Sequence, residues 1–172
     1  MTVATAQSER PDQTASGSTI LSTHDLAVLV RRLASRPRSW RSLVRFTAAK
    51  RYWVRLDGPQ GVDIWLLTWL PSQATDLHSH GDSAAAFVVV EGGLTEVRAD
   101  PLLGTWSTTL HAPAVRIVEP GLVHDVRNDL LTPAVSIHAY SPPLSRMTYY
   151  DLRDGHLKPV REPATDEPEV AS

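Results

Sequence analysis

From Arg51 onward the side-chain pattern of this chain has a period of two, in short runs broken by glycine and proline, and that confines it to antiparallel β-structure. Tyr52, Val54 and Leu56 alternate with Arg51, Trp53 and Arg55. Further apolar or alternating runs occupy 62–70, 84–90, 93–99, 105–110, 114–118, 122–127 and 134–140. Gly58-Pro59, Pro71, Gly92-Gly93, Gly104, Pro113, Pro120-Gly121 and Pro133 separate most of them. Many short strands at this spacing predict a sandwich or barrel and argue against a βαβ fold.

Helical periodicity is confined to the stretch before Arg51. Ser22 followed by Asp25 forms a capping-box pattern ahead of Leu26, Leu29, Val30 and Leu33, an i, i+3, i+4, i+7 stripe. Pro37 suits the start of a second helix with Trp40, Leu43 and Val44 as its buried face. Residues 1–19 are too polar to offset their ordering entropy and read as a disordered tail. One domain over 20–157 follows, then a Pro- and Glu-rich C-terminal stretch, 158–172, expected to be flexible. At 172 residues there is material for one core and no second independent domain.

Composition removes several functional classes. With no cysteine, the chain can form no disulfide, zinc–thiolate site, cysteine nucleophile or iron–sulfur centre. A formal net charge of −2 gives no electrostatic reason to expect nucleic acid or an anionic membrane as partner. The longest apolar runs, such as 84–90, are far short of a bilayer span, and no signal-peptide pattern is visible, so a cytoplasmic protein is expected. Nothing marks a large exposed apolar patch, and a monomer is the default.

The metal-capable groups that remain are seven histidines and nineteen carboxylates. In Thr75-Asp-Leu-His78-Ser-His80-Gly, strand geometry sends His78 and His80 to the same side, where both imidazoles can reach one ion. In Pro120-Gly121-Leu-Val-His124, a Pro-Gly turn opens a strand that can bring His124 across the barrel as a third ligand. Any one histidine is more ordinarily a hydrogen-bonded core or surface residue; the combination points to a facial three-nitrogen site. Neutral imidazoles suit iron(II), zinc, nickel or copper alike, and three facial ligands leave positions open. Downstream, 134–143 alternates Val135, Ile137 and Ala139 with Ser136, His138 and Tyr140. Either that polar face is solvated, or it is buried and its members bond to one another or to a ligand.

The two histidine segments resemble the two cupin motifs, without the glutamate ligand that usually follows the second histidine: Asp82, Ser83 and Ala84 to Ala86 stand there, and Glu91 comes too late. The resemblance implies a cupin-type antiparallel β-barrel (double-stranded β-helix or jelly roll), dominated by β-structure with two or so N-terminal α-helices. Trp69-Leu-Pro, His78-x-His80-Gly-x-Ser83, Gly93-x-x-Glu96, Gly121-x-x-His124 and Ser136-x-His138-x-Tyr140-Ser-Pro-Pro143 together resemble the cysteine dioxygenase type I family, over about Tyr52 to Leu152.

That resemblance implies a non-haem iron(II) thiol dioxygenase that converts L-cysteine and O2 to cysteine sulfinate in cysteine catabolism. His78, His80 and His124 fall on its metal ligands. Ser136, His138 and Tyr140 fall on its catalytic hydrogen-bond relay, with the Tyr140 hydroxyl near substrate. Ser141-Pro142 falls on a cis peptide bond. Arg55 best matches the arginine that holds the substrate carboxylate, with Arg51 the nearby alternative. Mammalian members carry Asp where Ser79 stands and a tyrosine-crosslinked Cys where Ala85 stands, so Tyr140 is expected to act unmodified. Met147 replaces a cysteine of some relatives. Relatives that prefer 3-mercaptopropionate tend to carry Gln in place of the carboxylate-binding arginine, so Arg55 favours cysteine; a 3-mercaptopropionate dioxygenase and a cupin that binds metal or ligand without catalysis are the alternatives.

Overall fold

A computed structural model describes residues 20–165 and 167–168. The expected N-terminal tail lies outside these residues. Helix α1 (Thr23–Ala34) begins where the capping pattern predicts: Ser22 Oγ accepts from the Asp25 amide at 3.1 Å, and the hydroxyl donates to the Asp25 carboxylate at 2.6 Å. The second helical stretch consists of two consecutive 3-10 turns, Pro37–Ser39 and Arg41–Leu43. They flank Trp40, which is buried with its indole N–H donating to the Leu33 carbonyl at 3.1 Å. That anchor folds the segment back along α1 and leaves no room for a regular α-helix.

Eleven strands follow: β1 (Tyr52–Arg55), β2 (Asp63–Trp69), β3 (His78–Ser79), β4 (Ala84–Glu91), β5 (Gly93–Asp100), β6 (Gly104–His111), β7 (Val115–Val118), β8 (Val123–Arg127), β9 (Ala134–Ser141), β10 (Thr148–Arg153) and β11 (His156–Arg161). They form two antiparallel sheets, β1-β2-β9-β4-β7 and β11-β10-β3-β8-β5-β6. This is the two-sheet barrel expected from the strand pattern. The chain past 157 does not end in a tail at once, because β11 crosses the expected boundary and pairs with β10.

Alternation along β2, β4 and β9 sorts the core into two layers. Trp65, Leu67, Trp69, Phe87, Val89 and Tyr140 face the barrel interior, where they meet Leu94, Leu110 and Val126 from the second sheet. Ile64, Leu66, Val88, Val135, Ile137 and Ala139 face outward, under Leu26, Val30 and Trp40 of the helical segment. The five-stranded sheet is therefore covered on both sides, and every residue of β9 is buried. The tight β4–β5 turn needs Gly92: its φ is +71°, and a Cβ there would come within 2.4 Å of the Pro133 carbonyl oxygen. Among the described residues, no helix is long and apolar enough to cross a membrane.

Candidate metal centre

The interior of the barrel brings the three histidines of the two separated segments together. His78 on β3 lies directly opposite His124 on β8 in the antiparallel register, and His80 follows two residues on. All three are buried, with ring centroids 4.8–5.2 Å apart, and one nitrogen from each lies within 4.8 Å of the others.

The partners of the outward ring nitrogens set the tautomers of His78 and His124, whereas the buried His80 Nδ1 has no hydrogen-bond partner among the described residues. His78 Nδ1 sits 2.7 Å from the Asp76 carbonyl, which can only accept, so that nitrogen carries the proton and Nε2 presents its lone pair. His124 Nδ1 donates to Glu96 Oε1 at 3.1 Å, leaving its own Nε2 a bare acceptor. That atom is buried and has no hydrogen-bond partner among the described residues. His78 Nε2 and His80 Nε2 face one another at 3.2 Å. Burial holds the His78 and His80 imidazoles well below their usual pKa, so both are neutral at pH 7. Converging neutral lone pairs with an orphaned Nε2 are what a divalent transition ion satisfies. The donor set fits a metal.

Behind His124 stands a carboxylate that the sequence reading quoted only as part of a motif. Glu96 Oε2 is 3.1 Å from Arg98 Nε and 3.3 Å from Arg116 Nε, while Oε1 takes the His124 proton. Burial pushes the Glu96 carboxyl up, but the hydrogen bonds from His124 and Arg98 outweigh it and hold the group below its ordinary value. Among the described residues, no carboxylate joins the triad itself.

The polar face of β9 is turned inward. Trp69 Nε1 donates to Ser136 Oγ at 2.9 Å, and Ser136 Oγ lies 2.8 Å from His138 Nε2. Indole N–H can only donate, and Ser136 has no other acceptor among the described residues. Its hydroxyl therefore donates to His138 Nε2, which puts the imidazole proton on Nδ1. Phe87 stacks on that ring at 4.8 Å and 9°, and burial lowers the His138 pKa to about 3. Tyr140 packs edge-on to His80 with centroids 5.0 Å apart, and its burial raises the phenol pKa well above the usual value. Ala85 lies opposite Tyr140 in the β4–β9 register, so no thiol is available to modify that ring. The Ser141–Pro142 peptide is cis, as expected.

The two candidate arginines part company. Arg55 forms an ion pair with Asp63 and lies over Trp65 at 5.4 Å, in a surface recess built from 55–63 and Pro143. The expectation that Arg55 reaches the site is not what the structure shows. Arg51, four residues earlier on the same face, is buried, and its guanidinium stacks on Trp69 at 4.4 Å. Burial lowers its pKa to about 10, leaving it a cation at pH 7, and its field reaches His78, His138 and Tyr140. Both residues share one face of the alternating run, so alternation could not separate them. Their surroundings do: Arg51 is buried against Trp69, whereas the Arg55 side chain is half-exposed beside Asp63.

The cavity over the triad is lined further by Leu67, Thr75, Val126 and Pro168 and has a volume of about 10 Å³. Pro168, from the stretch expected to be a flexible tail, is buried there.

Comparison with known proteins points to one family. The family model for cysteine dioxygenase type I matches residues 18–153. Cysteine dioxygenase type 1 of Rattus norvegicus is 26% identical over 136 residues, covering 73% of this chain and 68% of its own length. The Danio rerio protein of that name is 27% identical over 139 residues, covering 74% and 69%. A double-stranded β-helix domain protein from Klebsiella pneumoniae superposes with TM-score 0.54 at 17% identity, over 77% of this chain and 96% of that one. Oxalate oxidase does so with TM-score 0.52 at 18% identity, over 60% and 56%. At those identities the two structures speak to the fold alone, which is that of the cupins.

Proposed function

The chain belongs to the cysteine dioxygenase type I family, and on that premise we propose that it is an iron(II)-dependent thiol dioxygenase acting on L-cysteine. The net reaction consumes one thiol and one O2, places both oxygen atoms on sulfur as a sulfinate, and releases the thiol proton. Bound at His78, His80 and His124, iron(II) would supply open positions for the thiolate and O2 and lower the proton affinity of the thiol.

The observation that carries the reading is the buried Arg51 cation beside a three-imidazole site. A guanidinium so desolvated favours an anionic ligand, and its fork matches a carboxylate. Arg51 in this reading holds the substrate carboxylate while Trp69 fixes the guanidinium plane. Tyr140 stays protonated through the physiological range, so its hydroxyl can donate to negative charge developing on oxygen or sulfur. Ser136 and Trp69 hold His138 in one tautomer. Glu96 keeps the His124 Nε2 lone pair aimed inward. Each of these groups comes from one chain, so a monomer suffices.

The test is O2 uptake by the iron-loaded protein with L-cysteine and with 3-mercaptopropionate, using labelled O2 and mass analysis of the product. The reading expects a sulfinate carrying two labelled oxygens, with the higher kcat/KM for cysteine. A higher kcat/KM for 3-mercaptopropionate moves the substrate and leaves the chemistry. Metal or ligand binding with no O2 uptake from any thiol makes the protein a non-catalytic cupin.

A further inference from the structure

The metal centre has no room for the substrate proposed above. About 10 Å³ of free space accommodates on the order of one water, and an amino acid is several times larger. Some lining group must therefore move for a thiol to enter. Leu67, Trp69, Val126, His138 and Tyr140 lie on β2, β8 and β9, each of which is paired on both sides. Thr75 is pinned by its amide to the Val126 carbonyl at 2.9 Å and by its hydroxyl to the Val126 amide at 2.8 Å.

Pro168 is the exception. It follows a strap that leaves the sheet at the end of β11, and it lines the cavity over the triad. The strap is held by an isolated antiparallel bridge, Arg146 opposite Ala164. Two backbone hydrogen bonds make that bridge, Met147 N to Pro163 O at 3.3 Å and Thr165 N to Ser145 O at 3.0 Å. Side-chain support is marginal: Thr148 Oγ1 to Glu162 at 3.2 Å, and an exposed Arg146–Glu162 pair at 3.5 Å. Thr165 Oγ1 bonds only two residues on, to Glu167. The segment lies beyond the residues that the family model matches.

We propose that the strap over 162–165 is the gate of the metal centre, and that Pro168 beyond it is a size-selecting plug. Proline offers no N–H and no polar side-chain atom, so its contribution is steric: it covers the triad without competing for the ion. A weakly tethered segment opens locally at far less cost than a doubly paired strand, which makes the strap the element that yields. When it recloses, a small thiol is retained and water excluded, while a bulkier thiol holds the strap open. The size-selecting role rests on the thiol dioxygenase reading. The gating role needs only a metal at the triad.

The experiment uses the absence of native cysteines. Arg146 and Ala164 form a close pair across the bridge, the geometry that a disulfide spans. The double variant Arg146→Cys, Ala164→Cys is loaded with cobalt(II), and metal loss to a chelator is followed by absorbance, before and after reduction with a phosphine. Locking the strap should slow cobalt loss by about tenfold or more, since escape requires local opening. Equal rates in the two forms overturn the gate. In parallel, iron-loaded Pro168→Gly is compared with the unsubstituted chain on cysteine and on a cysteinyl dipeptide. The dipeptide-to-cysteine ratio of kcat/KM should rise by about tenfold. An unchanged ratio overturns the plug. If the unsubstituted protein oxidises no thiol, the dioxygenase reading and the size selection fail together, and the cobalt experiment still decides the gate.

Discussion

At the scale of single residues, the assignments turn on which polar atoms are buried and what answers them. Arg51→Ala should lower kcat/KM for cysteine by about 100-fold or more, because removal of one partner of a desolvated charge pair costs roughly 2–5 kcal/mol. Arg51→Lys should recover little of this, since an ammonium lacks the planar fork. Arg55→Ala, which breaks a half-exposed pair with Asp63, should leave kcat/KM within about threefold. Steady-state kinetics on the three variants checks the order, and a larger loss at Arg55 would return the carboxylate to that residue. Glu96→Gln keeps the shape behind His124 but removes the charge that polarises it. Metal affinity measured by titration should fall by about 10- to 100-fold, the usual cost of losing such a support. A buried acceptor with no hydrogen-bond partner among the described residues, His124 Nε2, is the strongest sign of a metal site, and no sequence spacing could have supplied it.

At the scale of elements, β9 is one strand with two jobs, and substitutions on its two faces should separate them. Ile137 is fully buried on the outer layer beneath α1. Ile137→Ala should cost about 2–5 kcal/mol of stability, by transfer and cavity terms, and leave metal binding intact in the folded fraction. Ser136→Ala removes one hydroxyl from the inner face, costs about 1 kcal/mol in stability, and frees His138 to change tautomer. Its effect should appear in kcat. Denaturant unfolding beside turnover measurements distinguishes the two patterns. The alternation of β9 was legible from residues 134–140, but which face turned inward was not, because that depends on α1 covering the opposite side. Strands β10 and β11 escaped notice for a related reason. β11 lies at the sheet edge, where Pro159 is tolerated, and such a run carries no clean alternation. The histidine motifs were readable because two-residue spacing survives any fold that keeps the strand. Arg51 and Arg55 share one face, so their separation appears only when the barrel closes.

At the scale of the whole molecule, the barrel gathers buried neutral imidazoles in one interior, and the cost of charging them should show in the acid stability of the metal-free protein. Burial depresses the folded-state pKa of His78, His80 and His138 below 6.5, in the case of His138 to about 3. Between the depressed and the ordinary value the unfolded chain binds more protons than the folded one. Stability is therefore full above about pH 6.5 and declines as pH falls, by about 1.4 kcal/mol per pH unit for each such histidine. Glu96 acts in the same direction, because its lowered carboxyl contributes stability above its ordinary value and loses it on acidification. The melting temperature of the metal-free protein should thus be level from pH 8 to about 7 and fall steeply below about 6.5. Adding a divalent ion at pH 7 should raise it, since binding to the folded state alone stabilises by mass action. That increment should shrink on acidification, as protons compete with the ion for His78, His80 and His124. Thermal scans across this range, with and without metal, test the whole arrangement at once. A metal-free melting temperature that stays level down to pH 5 would mean that the three histidines are not buried as neutral bases. A metal increment independent of pH would mean that the ion binds elsewhere than the histidine triad.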